Sequence, residues 1–417
     1  MRTFKINKAR LLCGIVIILQ LLWLQKKIIW PSLSGTLYQI IYYMKYFGSA
    51  VLLVYTLSKH RDSAISKRQK NYIRIFLPLF LIYALVEIVA LFSSPIVSDF
   101  AASYWTRFLA YVLDKVCILI MISCIWLLLK EKAVDCITSA FLADGILIFL
   151  LTMYRAGIGD TLRSFLVVFR LAEGNTASSF FEVHELTFCL GLCIIYYLFF
   201  KKKKESRDWI RIILLMVLFV LGGKRIGFAG IAVAMAFALF IHRKGLRRHT
   251  LVNIGIAGTV ICIVYVALLY SGDLLSYLAK KEVNVMGRDI IFSYFLQRTK
   301  FSYDSLGWGL YSTSKAVSSM SRFEMGNLAG VAIHNDILKI YIECGFLGSM
   351  LWYLFNLVYV PVKIFHKLGK YEAALYMSLI IFAFITYLTD NTENYFVFQV
   401  TLLLIPLVAV RNKEVKE

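Results

Sequence analysis

Long apolar blocks separated by short polar segments run through the whole chain. Many of these blocks hold about 18 or more apolar residues, the length that an α-helix needs to cross a bilayer. The pattern predicts about twelve membrane spans. Their approximate bounds are 10–29, 36–57, 73–94, 107–129, 134–153, 184–200, 209–223, 226–242, 250–270, 335–360, 372–390 and 395–410. We expect an all-α, polytopic membrane protein in which residues 1–417 form a single integral membrane domain.

The composition agrees with this pattern and excludes a water-soluble globular protein. Hydrophobic residues make up 60% of the chain and charged residues 17%, against roughly 45–50% and 25% in soluble domains. The net charge of +21 would suggest a nucleic-acid partner if it formed one surface patch. Lys and Arg instead occur in short clusters between apolar blocks, where they act as topology signals, so no nucleic-acid partner is expected.

The same clusters predict which side of the membrane each connecting segment faces. When the N-terminus is assigned to the cytoplasm, more than half of the 46 Lys and Arg residues fall in short segments on the cytoplasmic side. Such an excess marks cytoplasmic loops. Because the number of spans is even, both termini are then cytoplasmic, and residues 271–334 form a large loop on the outer face.

This loop is too long to be a simple turn, since structureless loops beyond about 15 residues are uncommon in compact proteins. It contains an apolar stretch at 289–296 and a turn-like Gly307-Trp308-Gly309 sequence. We expect it to be folded, with an amphipathic helix lying over the membrane face.

The end of the loop carries the residues most suggestive of chemistry. No phosphate-binding glycine loop, nucleophile elbow or metal-binding motif occurs, so no cofactor and no metal are expected. A helix beginning near Asn335 would direct its positive dipole end at His334, which favours a neutral imidazole able to act as a general base. Asp336 acts in the opposite sense, because its charge would stabilise the imidazolium. The alternative is that His334 only caps the helix.

These residues belong to a longer pattern, namely Gly307-Trp308-Gly309 followed by His334-Asn335, Leu338, Glu343, Gly345 and Gly348. The pattern resembles that of the bacterial O-antigen polymerase and ligase family (Wzy-type polysaccharide polymerases), whose members have many spans and one large outer loop late in the chain. Two arginines of that family are matched by Arg225 and Arg288. The resemblance covers residues 220–350 at the level of motifs, and it implies a helical bundle of the glycosyltransferase C type.

The resemblance implies catalytic roles for His334, Arg288 and Arg225. A guanidinium stays charged and presents a rigid fork to phosphate oxygens, so the two arginines suit a lipid diphosphate. The alternatives are a headgroup contact for Arg225 and a local ion pair with Asp289 for Arg288. Further residues assigned to substrate binding are Lys224, Asn335, His184, Glu185 and Arg170.

Other residues of the pattern are assigned supporting roles. On a straight helix, Glu343 lies about half a turn off the face of His334 and roughly 13 Å deeper. It is therefore expected to pair with another helix and to organise the site. Gly345 and Gly348 share a helix face and would let a neighbouring helix pack closely. Gly307 and Gly309 are expected to shape a turn at the site.

The expected function is that of a metal-independent glycosyltransferase in the bacterial inner (plasma) membrane. In its polymerase form, a growing glycan leaves its polyprenyl diphosphate and joins an incoming lipid-linked repeat unit on the outer face. The expected partners are polyprenyl-diphosphate-linked oligosaccharide, membrane lipid and other polysaccharide-assembly proteins.

Two alternatives stay open. A ligase that moves the glycan onto another acceptor would use the same machinery. A flippase for lipid-linked oligosaccharide is the alternative from a different class, and ionisable residues inside predicted spans, such as Glu87 and Asp144, would suit it. Transporters commonly contain internal repeats, and the two halves of this sequence differ, which favours the enzyme.

Overall fold

The computed structural model of the protein describes residues 7–22, 35–59, 67–94, 101–160, 184–281, 287–319 and 332–411. Helices account for 85% of these residues, and no β-strand occurs among them. The all-α fold predicted from the sequence is confirmed.

Each of the described ranges contains one or more α-helices. In order they are α1 (Lys8–Leu22), α2 (Gly35–Lys59), α3 (Lys67–Arg74), α4 (Pro78–Ser93), α5 (Ala101–Leu129), α6 (Ala133–Ala156), α7 (His184–Ile195), α8 (Ser206–Leu221), α9 (Arg225–Lys244), α10 (Arg248–Tyr270), α11 (Asp273–Lys280), α12 (Arg288–Leu296), α13 (Ser312–Ser319), α14 (Asp336–Leu354), α15 (Val360–Lys367), α16 (Lys370–Tyr387) and α17 (Phe396–Arg411). Short π-helical segments at Tyr196–Phe200 and Phe355–Tyr359 extend α7 and α14.

Within the described ranges, five helical segments are long and apolar enough to cross a membrane, as expected of a membrane-embedded protein. They are Lys67–Ser93, Tyr104–Arg155, Arg225–Lys244, Arg248–Tyr270 and Asp336–Lys367. Part of each of the twelve predicted spans is helical. The 52-residue segment Tyr104–Arg155 contains two of those spans, which meet at the 3₁₀ turn Lys130–Lys132.

Backbone contacts divide the chain into two compact units. The first consists of Met1–Asn71, Asp114–Arg243 and Asn394–Glu417. In this unit α6 packs against α1, and α7 packs against α6, α8 and α17. Side chains are buried on every face of α7, from Glu185 to Tyr196, so this short helix forms the centre of the first unit.

An ion-pair network lies at one end of the first unit. Lys201 Nζ lies 2.8 Å from Asp208 Oδ1 and 3.1 Å from Asp135 Oδ1, and Arg211 Nη1 lies 3.1 Å from Asp208 Oδ1. The backbone N–H of Glu205 also donates to Asp208, at 2.9 Å. Burial opposes ionisation of Asp208. The hydrogen bonds from Lys201 and Glu205 outweigh that effect, and they hold the pKa of its carboxyl below the ordinary value.

The second unit consists of Tyr72–Leu113 and Lys244–Glu393. Here α10 packs against α14 and α15, α15 packs against α16, and α4 packs against α14. The contact with α10 is close, since a Cβ added at Gly255 would lie 2.3 Å from the carbonyl oxygen of Leu357. All residues of α14 from Asp336 to Gly345 are buried. The central helix of this unit is therefore the one that carries the polar residues singled out in the sequence.

Candidate active site

His334 lies directly before α14, half-buried, with a left-handed backbone φ of 46°. Its Nδ1 lies 3.7 Å from Asp390 Oδ1 and 3.3 Å from Asn391 Nδ2. Both partners are buried and belong to the turn that follows α16. The sequence pointed to Asp336 as the carboxylate acting on His334. In the structure the carboxylate beside the ring is that of Asp390, and Asp336 accepts from the backbone N–H of Glu393.

The Asn391 amide indicates how the imidazole is held. Its Oδ1 is buried and accepts no hydrogen bond from any described residue. Turning the amide over exchanges its oxygen and nitrogen, which brings Oδ1 against His334 Nδ1. Asp390 and Asn391 then both favour a proton on Nδ1, which leaves Nε2 of the ring as a proton acceptor.

Asn335 is fully buried and forms the N-cap of α14. Its Oδ1 accepts from the backbone N–H of Leu338 at 2.9 Å, and its Nδ2 donates to the Tyr265 hydroxyl at 2.7 Å. The helix start predicted near Asn335 is confirmed. Both ends of the amide are used inside the protein, so its geometry is that of a positioning residue rather than the substrate contact expected from the sequence.

Arg288 is the first residue of α12 and follows Gly287, whose φ is 74°. Its charge acts electrostatically on the hydroxyl of Tyr265, the group that Asn335 binds. Among the described residues, Arg288 forms no ion pair with Asp289, the next residue in the sequence. The loop arginine and the histidine thus both belong to the second unit, and Tyr265 is affected by Arg288 and bound by Asn335, the neighbour of His334.

One turn further along α14, charged side chains form a buried network. Lys339 Nζ lies 3.1 Å from Glu393 Oε2, and the Tyr111 hydroxyl donates to Glu393 Oε1 at 2.8 Å. The backbone N–H of Glu393 donates to Asp336 Oδ2 at 2.7 Å. The side chains of Lys339 and Glu393 are only 2% and 3% exposed. Because a buried charge without a partner is costly, this network ties the turn of Asp390 and Asn391 to the helix of His334.

Glu343 binds Thr313, which lies in the segment predicted to form the large loop. Its Oε1 accepts from the backbone N–H of Thr313 at 3.2 Å and from the Thr313 hydroxyl. Thr313 belongs to the short helix α13, within the 271–334 segment. Glu343 was expected to pair with another helix, and the helix that it contacts is the short α13, whose start reaches α14 at this point.

The same segment is joined to α14 through its backbone. Three hydrogen bonds connect residues 305–309 with residues 342–346. They run from Trp308 N to Ile342 O (2.9 Å), from Gly309 N to Glu343 O (2.8 Å) and from Phe346 N to Ser305 O (2.9 Å). The loop amides thereby satisfy carbonyl groups of a helix that is interrupted at this level.

The interruption lies at Gly345, which has a φ of 70° and a ψ of −174°. A Cβ at Gly345 would lie 2.2 Å from the carbonyl oxygen of Ser305, and a Cβ at Gly307 would lie 2.4 Å from the backbone nitrogen of Gly345. Both positions therefore need glycine, for space and for their positive φ. The expectation that Gly345 serves helix–helix packing on a straight helix was wrong. Gly348 is close to a neighbouring helix, since its Cβ would lie 3.1 Å from Val86 Cγ2.

Two further contacts hold residues 308–310 in place within the second unit. Glu87 Oε1 accepts from the backbone N–H of Leu310 at 2.6 Å, and the Tyr104 hydroxyl donates to the same carboxylate. The Ser94 hydroxyl donates to the Trp308 carbonyl at 2.8 Å. Gly309, with a φ of 93°, leaves room for the Tyr104 hydroxyl. Glu87, which lies in a predicted span, thus binds the segment of residues 308–310.

Lys224, Arg225 and Glu185 belong to the first unit. Arg225 is exposed at the first position of α9, and Lys224 is half-buried just before it. Glu185 is buried, and its Oε1 accepts from the backbone N–H of Phe398 at 3.0 Å, at the start of α17. A carboxylate at a helix N-terminus is stabilising, so this geometry favours a structural role for Glu185 over substrate binding. Arg170 and the side chain of His184 lie outside the described residues.

Three residues of the site are missed by sequence reasoning, namely Asp390, Asn391 and Glu393. They are far from His334 along the chain, and nothing in a single sequence links the two positions. A signal does exist in the polar run Asp390-Asn391-Thr392-Glu393-Asn394 between two apolar spans. The predicted topology puts that run on the same outer face as His334.

Among the described residues, no group of three or more His, Cys, Asp and Glu side chains is arranged to hold a metal ion. The chain matches no protein-family model, and no curated protein matches it.

Proposed function

We propose that this protein is a glycosyltransferase of the bacterial plasma membrane that extends a glycan carried on polyprenyl diphosphate. The observation that carries the proposal is the setting of His334, whose Nδ1 faces Asp390 and Asn391. A histidine oriented in this way by a carboxylate and an amide has the geometry of a general base. Sequence resemblance to the O-antigen polymerase and ligase family points to the same residue.

In the proposed reaction, Nε2 of His334 takes the proton from a hydroxyl at the nonreducing end of an incoming lipid-linked repeat unit. The hydroxyl oxygen forms a bond to the anomeric carbon of the growing glycan, and the bond from that carbon to the lipid diphosphate breaks. The diphosphate leaves with both electrons of that bond. Arg288 would neutralise the charge that develops on it.

The contacts inside each unit agree with the predicted alternation of segments between the two membrane faces, and the assignment of one face as the outer one is part of the proposal. Ser94 binds Trp308, and His334 lies beside Asp390. Trp308 and His334 belong to the loop assigned to the outer face, and Ser94 and Asp390 to the predicted outer ends of spans. In the first unit, Lys201 binds Asp135 and Asp208, next to segments assigned to the cytoplasm. A wrong assignment of alternate segments would have paired residues from opposite faces.

Reconstitution with purified lipid-linked oligosaccharide tests the proposal. The wild-type protein should build a ladder of longer glycans on a gel, and His334→Ala and Arg288→Ala proteins that insert normally should not. Full ladders from both variants would remove His334 and Arg288 from the mechanism. A wild-type protein that never extends the substrate would overturn the enzyme proposal.

The flippase alternative is favoured by one specific observation, the buried charges around Lys339, because charged residues in spans often mark transport pathways. The same vesicles separate the two functions. A flippase would make externally added lipid-linked oligosaccharide inaccessible to a membrane-impermeant glycosidase without lengthening it. A ligase would transfer the glycan once to a second acceptor and give no ladder.

A further inference from the structure

A cavity of about 480 Å³ opens on the second unit beside the junction between residues 305–309 and α14. Sites for small molecules commonly have volumes of roughly 300–1,000 Å³. The cavity walls include Gln297, Arg298, Lys300, Asp304 and Trp308 on the loop side and Ile342 on α14. None of these side chains takes part in the hydrogen bonds around His334.

Arg298 is arranged to bind a ligand without much further ordering. Its guanidinium lies 3.8 Å from the centre of the Tyr294 ring, and its Nη1 donates to the Tyr294 carbonyl at 3.1 Å. The other N–H groups of the guanidinium stay available, since arginine has five donors. A side chain that is already stacked and hydrogen-bonded loses less conformational entropy when a ligand arrives.

Lys300 and Asp304 give the cavity both a donor and an acceptor. Lys300 Nζ lies 2.6 Å from Asp304 Oδ2, and this hydrogen bond holds the pKa of Asp304 below its ordinary value. The carboxylate therefore stays ionised at neutral pH and supplies an acceptor next to the Lys300 ammonium. Hydroxyl groups both donate and accept, so they match this mixed lining and the Gln297 amide.

Trp308 adds an apolar surface next to these polar groups. Its ring packs against Phe295 with 6.0 Å between ring centres, and it is half-buried. Alternating hydroxyl groups and C–H faces are the chemical character of a pyranose ring, and an aromatic side chain beside planar polar groups suits both. The backbone hydrogen bond from Trp308 N–H to the Ile342 carbonyl also joins this wall of the cavity to α14, the helix that follows His334.

We propose that this cavity is a subsite for the oligosaccharide part of the lipid-linked substrate, distinct from the residues that meet its diphosphate. This inference rests on the proposed glycosyltransferase function. Its role would be to hold sugars of the glycan while an acceptor hydroxyl meets His334.

The test uses the full-length protein in lipid nanodiscs and two probes. One is lipid-linked oligosaccharide extracted from cells that lack the gene, and the other is the water-soluble oligosaccharide released from it by mild acid. The variants are Gln297→Ala and Arg298→Ala, both at exposed positions, and Lys280→Ala is the matched control, exposed in the same segment but outside the cavity walls.

We expect Arg298→Ala to raise KM for the lipid-linked probe about ten-fold with kcat within about two-fold, as loss of uniform substrate binding requires. Binding of the soluble oligosaccharide should weaken by a similar factor, with a smaller effect in Gln297→Ala and none in Lys280→Ala. If the wild type polymerises and the variants match it in KM and in binding, the subsite is wrong and the proposed function stands.

The remaining outcomes are also decisive. If the wild type never polymerises but binds the soluble oligosaccharide in a way that Arg298→Ala weakens, the proposed function fails and the glycan subsite stands. If the wild type neither polymerises nor binds it, both are overturned. If Arg298→Ala loses affinity for inorganic diphosphate and keeps its affinity for the oligosaccharide, the cavity serves the diphosphate instead and the proposal is wrong.

Discussion

Lys339 and Glu393 form an ion pair of 3.1 Å in the second unit, where both side chains are buried. The charge of Lys339 also acts on Asp336 and Glu343, so one ammonium group compensates several carboxyl groups. Removing one partner of such a buried pair leaves uncompensated charge, which typically costs about 3–5 kcal/mol.

Lys339→Met should therefore lower the free energy of unfolding by roughly 3–5 kcal/mol. The double variant Lys339→Met/Glu393→Gln should recover part of that loss, because it removes both charges. Thermal unfolding in detergent, followed by the fraction of monodisperse protein, measures the effect, and Lys280→Met at an exposed site is the control. A double variant no more stable than Lys339→Met would show that the ion pair is not the cause.

The glycine junction gives a second prediction. Gly345→Ala should destabilise the protein by at least about 2 kcal/mol, because alanine disfavours the positive φ and its Cβ would meet the Ser305 carbonyl. Gly307→Ala should have a similar effect. Since either change breaks the same contact, the two together should cost less than the sum of the single effects.

The matched control for the junction is Gly14→Ala in α1, where no heavy atom lies within 4 Å of the added Cβ. It should leave stability unchanged or slightly raised, since alanine is the better helix former. Unfolding midpoints of the three single variants and the double variant decide the matter. Equal midpoints for Gly14→Ala and Gly345→Ala would contradict the need for glycine at Gly345.

Features of this fold that depend on residues close together in the sequence could be predicted, and features that depend on distant residues could not. The start of α14 at Asn335 is predictable, because an asparagine before an apolar block is a local capping signal. The break at Gly345 is not, since a glycine that permits close helix packing and one that adopts a positive φ look the same in a sequence. The hydropathy pattern does not reveal the break either, because residues on both sides of Gly345 are apolar.

The candidate site was predicted to a lesser extent than the fold. His334 and Arg288 stand out through the family resemblance, and both belong to the second unit. Asp390 and Glu393 reach the site only because the turn after α16 folds back onto α14, a tertiary relationship without a local signature. From the sequence, the only charge suggested to act on His334 was that of its neighbour Asp336, since nearness along the chain was the available guide.

The position of Asp390 beside His334 yields a third prediction, which rests on the proposed function. His334→Ala should lower kcat by roughly 10²–10⁴-fold, the usual contribution of a general base. Asp390→Asn should lower kcat about 10–100-fold with little change in KM, because it acts through the orientation of the imidazole. Initial rates of glycan extension over a range of substrate concentrations separate the two constants.

Asp273→Asn is a suitable control for Asp390→Asn, since Asp273 is exposed at the start of α11. It should leave both constants unchanged. A kcat for Asp390→Asn equal to that of the wild type would remove Asp390 from the mechanism without affecting the assignment of His334.

The network around Asp208 predicts an acid-sensitive contribution to stability. The pKa of Asp208 is lower in the folded protein than the ordinary value of about 3.9. Its contribution is therefore fully present above about pH 4 to 5 and is lost as the pH falls through the folded pKa. Asp208→Asn should unfold at a lower temperature than the wild type near neutral pH, and the difference should shrink below about pH 4.

Unfolding midpoints from about pH 7 down to about pH 3 test this prediction. Asp273→Asn again serves as the exposed reference and should follow the wild-type curve. A gap between Asp208→Asn and the wild type that stays constant with pH would mean that the side chain contributes through packing and not through its charge.

The backbone junction between residues 305–309 and 342–346 has a consequence for how this protein can change over evolution. The two segments are joined by backbone hydrogen bonds, and the close approach of Gly307 and Gly345 requires glycine at both positions at once. A loop transferred from a related protein would lose these hydrogen bonds unless the matching stretch of α14 were transferred with it. Recombination and chimera design should therefore succeed only when both segments are inherited as one module, with crossover points outside 305–346.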